Sequence, residues 1–566
     1  MRTLFITLML AASFAAQADP VTIFTAKSVI TMEAAQARAS AVAVADGIIL
    51  GVGTEESLQV WIDARGGQVD RRFQDKIIMP GFIDPHVHPS LPAILTQLAF
   101  LAPDDWSLPT GEFPGAKTPA DYQTQLQNLA AQHTSDTPFG AWGYHELWHG
   151  KVRRQDLDAW FPNQAVFIWQ RSFHEVIFNT RALEVFGITQ ADAEKAHGEA
   201  DWASGHFWEN GLFTIIPKLS YLFEPNNYLA GTANFLEMVH RGGVTTAVDM
   251  GLGISGDPNI ELAMLDKVMN SSNAPIRLVL TPVISKFIQM GITPEAAVEQ
   301  TAKWREQYDG QVAVRNHFKL MVDGAIFSAL AQFGAPGYLD GHEGVWLVPE
   351  EPLHQYARAF WKAGYQLHAH SNGDAATQRT LDLLERLLEE HPRWDHRFAL
   401  EHFAYSRETQ SRRIKELGAI VSANPYYHYI LSDIYSTDQI GPTRAEQMVR
   451  LGSLERLGVP FTFHSDSPMA PLEPLTLAWT ATNRETINGN RTGQDERVSL
   501  DAALRAITID AAWAVGMEHE IGSITAGKKA DFVVLEQDPY DVGVEGLRDI
   551  PVWGTVFEGR PAPIHH

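Results

Sequence analysis

A short apolar run that ends in two histidines constrains this chain more than any other stretch. Residues 77–84 are mainly apolar, and His86 and His88 follow them two residues apart. In an extended strand, residues i and i+2 lie on the same face, so both imidazoles can reach one point. Imidazole suits zinc and its first-row neighbours. Two polar residues at a strand rim would be the simpler interpretation of a lone pair, but the apolar run, Pro80-Gly81 and Asp84 favour a buried strand that ends at a metal site.

Apolar strand-like segments alternate with helical patterns through the middle of the chain, as in a parallel sheet. Eight such units predict an α/β fold, a TIM-like (β/α)8 barrel. The predicted strands are 77–84, 244–250, 276–283, 317–323, 365–370, 397–402, 419–424 and 460–466. The predicted helices between them include 234–241, 294–308 and 375–390. A chain of 566 residues suits one large barrel with a smaller domain.

Short alternating strands at both chain ends predict a flanking β-sandwich built from residues 19–75 and 515–566, with the barrel spanning 76–514. The segment 91–228 interrupts the alternation and is too long for a plain loop. Its tryptophans are Trp106, Trp142, Trp148, Trp160, Trp169, Trp202 and Trp208. Because this insertion follows barrel strand one, at the end where barrel active sites lie, one hypothesis is a lid over the pocket. Packing of its aromatic residues into a small core of their own is an equally good interpretation.

The N-terminus has the pattern of a secretory leader. Arg2 gives a basic start, residues 4–16 are mainly apolar, and Ala16-Gln17-Ala18 is a small-x-small sequence. This predicts a signal peptide over residues 1–18 and a mature chain that starts at Asp19, secreted to the periplasm. A membrane anchor is disfavoured because the apolar run is too short to span a bilayer and no cysteine follows that could carry a lipid.

Composition narrows the range of possible binding partners and chemistries. The absence of cysteine excludes a disulfide framework and a thiolate nucleophile or ligand. A formal net charge of −24 argues against nucleic acid or an anionic membrane, since both attract basic surfaces. A small-molecule substrate is the partner that fits, and the sequence is compatible with a homo-oligomer.

Further ligand-type residues lie towards the ends of later predicted strands. They are Lys319, His368, His370, His402 and Asp466. In an α/β barrel the carboxyl ends of the strands form the active site, so these side chains should converge there. An ammonium group would repel a metal ion, but a buried lysine can lose its proton, and the neutral amine can combine with carbon dioxide to form an anionic carbamate. A salt bridge between Lys319 and Asp323 or another acid is the simpler alternative.

Taken in order, several motifs resemble those of the amidohydrolase superfamily. They are Pro80-Gly81-Phe82-Ile83-Asp84-Pro85-His86-Val87-His88, Lys319 with Asp323-Gly324, His370 with Gly373-Asp374, Glu401-His402, Ser465-Asp466-Ser467-Pro468 and Ala526-Gly527-Lys528-Lys529-Ala530-Asp531. Within the superfamily the chain resembles the YtcJ-like branch, amidohydrolase family 3, which is related to N-substituted formamide deformylases. The resemblance covers nearly the whole mature chain and is specific for fold and metal site more than for substrate.

The resemblance implies a cofactor of two divalent metal ions, with zinc favoured. One ion would be held by His86, His88 and Asp466, and the other by His370 and His402. A carboxylated Lys319 and a hydroxide would bridge them. Asp466 would be the catalytic residue that takes a proton from the hydroxide and passes it to the leaving amine. The implied activity is hydrolysis of a carbon–nitrogen amide bond, other than a peptide bond, in a small N-substituted amide.

Other histidines have weaker assignments. The segment from Arg171 to Glu175 resembles a family segment that reaches the pocket, which makes His174 a predicted substrate-binding residue. His368 and His464 are expected to support the ligands or the core. The family often has Gln-Pro-x-His after strand seven, and Asn424-Pro425-Tyr426-Tyr427-His428 departs from it, so no substrate role is carried over to His428.

Three alternatives keep parts of this interpretation. The same hydroxide could attack a lactone, an ester or a phosphotriester. A single metal ion without the lysine bridge would favour deaminase-type chemistry. A non-catalytic periplasmic binding protein could retain the barrel, although the intact ligand set disfavours it.

Overall fold

The structure is a computed structural model that describes residues 19–564 except 197, 255 and 273. The predicted signal peptide over residues 1–18 and the terminal residues 565–566 lie outside the described residues. In the described part of the chain, none of the helices combines the length and the apolar character needed to cross a bilayer.

Both ends of the chain contribute strands to one mixed sheet. In spatial order its seven strands are Arg560–Pro563, Val552–Phe557, Phe532–Leu535, Gly67–Pro80, Val21–Ile30, Arg38–Ala45 and Ile48–Gly53. The long strand Gly67–Pro80 pairs with Val21–Ile30 along most of its length and with Phe532–Leu535 at its end, and so joins the two halves. Strands from both ends of the chain therefore belong to one hydrogen-bonded sheet, and a β-sandwich over residues 19–75 and 515–566 stays a prediction. The long strand of this sheet continues past the expected domain boundary at residue 75.

The middle of the chain forms two parallel sheets. In chain order their strands are β1 (Phe82–Val87), β2 (Val244–Leu252), β3 (Arg277–Pro282), β4 (Val312–Val314), β5 (His317–Met321), β6 (Gln366–Ser371), β7 (Ala399–His402), β8 (Ile420–Ala423) and β9 (Phe461–Phe463). The first four form one sheet and the last five the other. Isolated parallel bridges, Val283 with Lys319 and Val87 with Ser467, connect the two sheets. The parallel α/β architecture agrees with the sequence, while one closed eight-stranded barrel stays a prediction.

The position predicted for the first barrel strand, 77–84, was wrong. Residues up to Pro80 belong to the mixed sheet, and β1 starts at Phe82 after a break at Gly81. Glycine is required at the break because a Cβ there would lie 2.1 Å from Oγ1 of Thr245. His86 consequently lies within β1 and His88 follows its end.

The insertion at 91–228 has its own sheets and helices. Its six-stranded sheet consists of Ala200–Asp201, His206–Trp208, Glu175–Phe178, Val166–Gln170, Phe139–Tyr144 and Ala99–Phe100, and a hairpin joins Trp106–Leu108 to Gly111–Phe113. Its helices are Leu91–Leu95, Pro119–Gln132, Glu146–His149, Arg154–Trp160, Thr180–Phe186, Gln190–Glu194, Asn210–Ile215 and the 3-10 helix Ile216–Phe223. Tyr122, Leu126 and Leu157 are among the residues of a separate small core here. Trp106, Trp142 and Trp169 instead pack in the main core. The buried residues of the insertion are therefore divided between its own small core and the main core.

Helices cover the outside of the parallel strands and the mixed sheet. The α-helices outside the insertion are Glu55–Arg65, Pro225–Arg241, Pro258–Ser272, Ile284–Gln289, Pro294–Gln307, Glu350–Lys362, Asp374–Glu390, Glu408–Leu417, Tyr426–Ile434, Pro442–Ala445, Leu451–Leu457, Pro474–Asn483, Leu500–Ala506, Ile509–Ala514 and Pro539–Val542. Short 3-10 helices are Ala34–Gln36, Ile326–Ser328, Gln494–Glu496 and Val544–Asp549, and Tyr435–Gln439 is a π-helix. In Asp374–Glu390 the side chains of Leu381, Leu384 and Leu387 form one buried face, as their spacing predicts.

Candidate active site

The side chains singled out in the sequence meet in one pocket at the carboxyl ends of the parallel strands. The predicted site residues that line it are His86, His88, His174, Lys319, His370, His402 and Asp466. The strands determine the positions of several of them, because the parallel pairing of β5 with β6 sets Lys319 opposite His368 and Met321 opposite His370. The structure thus brings all seven together.

Asp466 lies between two groups of imidazoles. Its Oδ1 is 3.1 Å from Nε2 of His88 and 3.5 Å from Nε2 of His86. Its Oδ2 is 3.6 Å from Nδ1 of His402, whose ring centroid is 4.2 Å from that of His370. Nζ of Lys319 is 3.5 Å from Nε2 of His86. One carboxylate therefore faces both predicted ligand groups.

Two of these residues have an uncommon backbone conformation. His402 has φ +73° and Asp466 has φ +56°, both in the left-handed region that costs free energy for residues other than glycine. In a regular strand, neighbouring side chains face opposite sides, yet Glu401 and His402 both approach His86. The turn of the backbone at His402 makes this possible. The backbone is thus strained at the end of β7 and just after β9, where these two side chains enter the pocket.

Glu401 is a functional candidate to which the sequence reasoning gave no role. Its side chain is fully buried and accepts hydrogen bonds from Nδ1 of His86 (2.8 Å) and Nδ1 of His368 (2.7 Å). Nε2 of His368 in turn lies 3.1 Å from Nδ1 of His317. A proton on Nδ1 of His86 leaves the lone pair of its Nε2 directed at Asp466 and Lys319. The sequence did contain a signal for this role, because a glutamate lies within an apolar strand, next to a predicted ligand.

Two aspartates support the neighbouring segments. Oδ1 of Asp249 is 3.5 Å from Nδ1 of His88. Asp323 accepts backbone N–H bonds from Gln332, Asn372 and Gly373 at 2.9 to 3.0 Å. Both oxygens of Asp323 are occupied in this way, and the described residues form no salt bridge between Asp323 and Lys319. The structure therefore does not contain the salt bridge with Asp323.

Burial controls the charge of the imidazoles. Desolvation lowers the pKa of His86, His370 and His402 well below the usual value, and the charge of Lys319 adds to the effect. Burial also opposes charge on His88, but hydrogen bonds and charges from Asp249 and Asp466 outweigh it and raise its pKa to about 9. For Lys319, burial outweighs the nearby carboxylates and lowers the pKa to about 8. Neutral imidazoles are the form that binds metal.

The donor set fits a divalent metal ion. Ligand atoms of His86, His88 and Asp466 all lie within 4.8 Å of one another, and so do those of His86, His402 and His464. Nε2 of His402 and Nε2 of His464 are buried and have no hydrogen-bond partner among the described residues. Buried nitrogens without partners are costly unless something binds them. Sequence reasoning placed His464 only in a supporting role, and the structure adds it to the donors near His86.

The insertion supplies the outer wall of the pocket. His174 lies there, with Nδ1 2.6 Å from Oε2 of Glu209 and its ring centroid 6.3 Å from that of His370. Burial disfavours the imidazolium, but Glu209 outweighs this and raises the pKa of His174. Apolar lining residues include Leu91, Ile94, Trp169, Phe173, Leu212, Met250 and Met469. His428 lies elsewhere, where its Nε2 is 2.9 Å from Oγ1 of Thr492. That the insertion moves as a lid stays a prediction.

Sequence and fold comparisons find similar proteins that match most of this chain. The chain is 27% identical over 549 residues to the N-substituted formamide deformylase of Arthrobacter pascens, covering 94% of this chain and 96% of the relative. It is 22% identical to the putative amidohydrolase YtcJ of Bacillus subtilis, covering 92% and 96%. An uncharacterized metal-dependent hydrolase from Pyrococcus horikoshii shares the fold, with a TM-score of 0.70, 19% identity and coverage of 93% and 99%.

These relatives confirm the resemblance to the YtcJ-like branch. A family model described as the amidohydrolase family matches residues 74–563, from the end of the mixed-sheet strand before β1 to the last strand of that sheet. Because this match spans most of the sequence, the chain belongs to the amidohydrolase family.

Proposed function

We propose that this protein is a metal-dependent hydrolase that cleaves the carbon–nitrogen amide bond of a small N-substituted amide. The observation that carries the proposal is one carboxylate, Asp466, set between two groups of imidazoles in a pocket with an apolar wall. The likeness to an N-substituted formamide deformylase supports the choice of bond.

In this proposal His86, His88 and Asp466 would hold one divalent ion, and His370 and His402 would hold a second. Zinc suits this nitrogen and oxygen donor set. Lys319 would take part as a carbamate, because burial favours the uncharged amine from which a carbamate forms. When bound, two divalent ions in such a site acidify water and polarise the scissile carbonyl.

The side chains of the chain itself position the reactants and move the proton. Asp466 accepts the proton of the attacking water and returns it to the amine nitrogen as the carbon–nitrogen bond breaks. The hydroxyl of Tyr427 donates a hydrogen bond to Oδ2 of Asp466 at 3.4 Å and helps to orient that carboxylate. Glu401 fixes the ring of His86, and His174 binds the polar part of the substrate from the insertion side.

A side-by-side turnover assay tests the choice of bond. N-alkyl and N-aryl formamides, lactones, carboxylic esters and aryl phosphotriesters are supplied to the metal-loaded protein and compared by kcat/KM. We expect the formamides to be hydrolysed fastest. Turnover confined to the lactones, esters or phosphotriesters would keep the site but overturn the amide substrate. A metal-replete protein that hydrolyses none of them would favour a binding protein.

We also propose that the protein is exported to the periplasm, on the basis of the basic start, apolar stretch and small-x-small sequence of residues 1–18. The intact mass of the protein isolated from its native source should correspond to a chain that starts at Asp19. A native chain that retains Met1 would contradict export by this route.

A further inference from the structure

A second cavity continues outward from the catalytic pocket. The two cavities share the lining residues Asn210, Ile254, Ser285, Leu347 and Val348. We call the outer cavity the vestibule; it lies between the insertion at Lys195 and Thr214, the helix Ile284–Gln289 and the segment 347–349. The catalytic pocket measures about 100 Å³ and the vestibule about 540 Å³. The vestibule therefore offers room for a part of the substrate beyond the scissile bond.

The vestibule has buried and exposed lining residues. In the neck formed by the five shared residues, Val348 is buried, Ser285 is half-buried and Asn210 is exposed, and among the unshared lining residues Ile288 and Pro349 are exposed. Ile288, which is 39% exposed, places an apolar side chain where the vestibule meets solvent. The vestibule is therefore a passage between the catalytic pocket and solvent.

The lining indicates the chemistry of the occupant. Ile254, Leu347 and Val348 give the neck an apolar wall, and the remaining shared residues, Asn210 and Ser285, are uncharged. The charged lining residues belong to the vestibule and are not shared with the catalytic pocket; Lys286 donates a hydrogen bond to Oε1 of Gln289 at 3.1 Å, and Glu199 accepts one from Nδ2 of Asn210 at 3.3 Å. Because none of the five shared residues is charged, a charged group held in the neck would lose hydration, whereas an apolar chain gains from burial.

We propose that the vestibule binds the N-substituent of the amide, an uncharged alkyl or arylalkyl chain, while the small acyl group occupies the catalytic pocket. This inference rests on the proposed function and specifies its substrate. In the reaction, water supplies a hydroxyl to the acyl carbon and a proton to the nitrogen, and the carbon–nitrogen bond breaks. The products are a small carboxylic acid and a primary amine whose chain already lies along the passage to solvent.

Chain length is the first variable of the test. Each methylene buried in an apolar site should raise kcat/KM about three- to fourfold until the chain reaches the exposed end. N-alkylformamides from methyl to octyl are compared by kcat/KM with wild-type protein and with Ser285→Phe, which narrows the neck from a half-buried position. Ser135→Phe, at an exposed serine outside both cavities, is the matched control.

We expect the gain with chain length in wild-type protein and in Ser135→Phe, and its loss in Ser285→Phe. A rate that does not depend on chain length, or an equal gain in Ser285→Phe, would overturn the vestibule as the binding site. Metal content per chain and the melting temperature of each variant exclude a general loss of structure.

A binding measurement separates failure of this inference from failure of the proposed function. N-alkyl methanesulfonamides carry the same N-substituent and no scissile carbonyl, so their affinity reports the vestibule without turnover. Calorimetry should show tighter binding with longer chains in wild-type protein and in Ser135→Phe, and no such trend in Ser285→Phe. If amides are not hydrolysed but this trend is seen, the reaction is wrong and the apolar binding site stands. If amides are hydrolysed and the trend is absent, the vestibule is not where the substituent binds.

Discussion

The two ends of the parallel strands carry cavities of opposite character. At the amino ends lies a groove of about 1290 Å³ with many charged side chains, far larger than the catalytic pocket of about 100 Å³ at the carboxyl ends. Several cations of the groove have carboxylate partners, such as Arg315 with Glu520 at 2.8 Å and Arg397 with Glu518 at 2.8 Å. In the pocket, buried imidazole nitrogens lack partners among the described residues.

This difference shows that size does not identify the reactive cavity. Paired charges at a surface are already compensated, and each pair contributes little to stability or chemistry. A buried imidazole nitrogen without a partner costs free energy, and a metal ion or a substrate that binds to it removes that cost. Variants at the pocket should therefore lose activity or metal binding, whereas variants at the groove should lose only a little stability.

The largest effect is expected for Asp466→Asn. Asparagine keeps the shape of the side chain but can neither accept the proton nor carry the charge that a cation favours. We expect kcat on the preferred amide to fall about 10²- to 10⁴-fold. Steady-state kinetics at saturating metal give the ratio, and a variant with more than a tenth of the wild-type kcat would remove Asp466 from the proposed chemistry.

Lys319→Ala should act first on metal content. If the carbamate joins two ions, the number of divalent ions per chain should fall from about two to one or fewer, and activity should fall with it. Elemental analysis of purified protein measures this, with Lys303→Ala, an exposed lysine on the helix Pro294–Gln307, as the control. One ion per chain in both wild-type and Lys319→Ala protein would indicate a mononuclear site and reopen deaminase-type chemistry.

Glu401→Gln should weaken metal binding without removing a proposed ligand. A carboxylate can accept from both His86 and His368, whereas an amide offers one oxygen and directs its N–H groups at the other ring. We expect a 10- to 100-fold loss of metal affinity, measured by competition with a chelator. Glu416→Gln, at an exposed site on the helix Glu408–Leu417, should leave the affinity unchanged. Unchanged affinity in Glu401→Gln would mean that the ring of His86 is fixed by packing alone.

A smaller effect is expected for His174→Gln. His174 faces the pocket from the insertion, is held by Glu209 and is not one of the proposed ligands. Loss of one hydrogen bond to the substrate should raise KM about tenfold, with metal content unchanged. A change in kcat alone would place His174 in the proton transfer instead.

Much of the site was predictable because strand geometry and chemistry are both local. The two-residue spacing of His86 and His88 and of His368 and His370 needs only an extended backbone. The general direction of Lys319 and Asp466 follows from strand ends meeting at one face of parallel sheets. The order of these segments along the chain was enough to predict which residues meet.

What the sequence could not reveal depends on contacts between distant segments. Gly81 separates β1 from the preceding strand because Thr245 packs against it, and no local pattern reports that contact. The position of Glu401 beside His86 depends on the left-handed backbone of His402, which breaks the alternation on which strand reasoning relies. The vestibule is formed by the insertion, a helix and a loop far apart in sequence.

The smallest effect is expected at the groove. Glu518→Gln removes the charge paired with Arg397, which retains Asp395 at 2.9 Å. The free energy of unfolding should fall by at most about 1 kcal/mol, since such pairs are weak, and kcat/KM should stay at the wild-type value. Denaturant titration and the amide assay measure the two. Lower kcat/KM with unchanged stability would contradict the separation of the two cavities. The route for such coupling would be His317, which lines the groove and contacts Glu401 through His368.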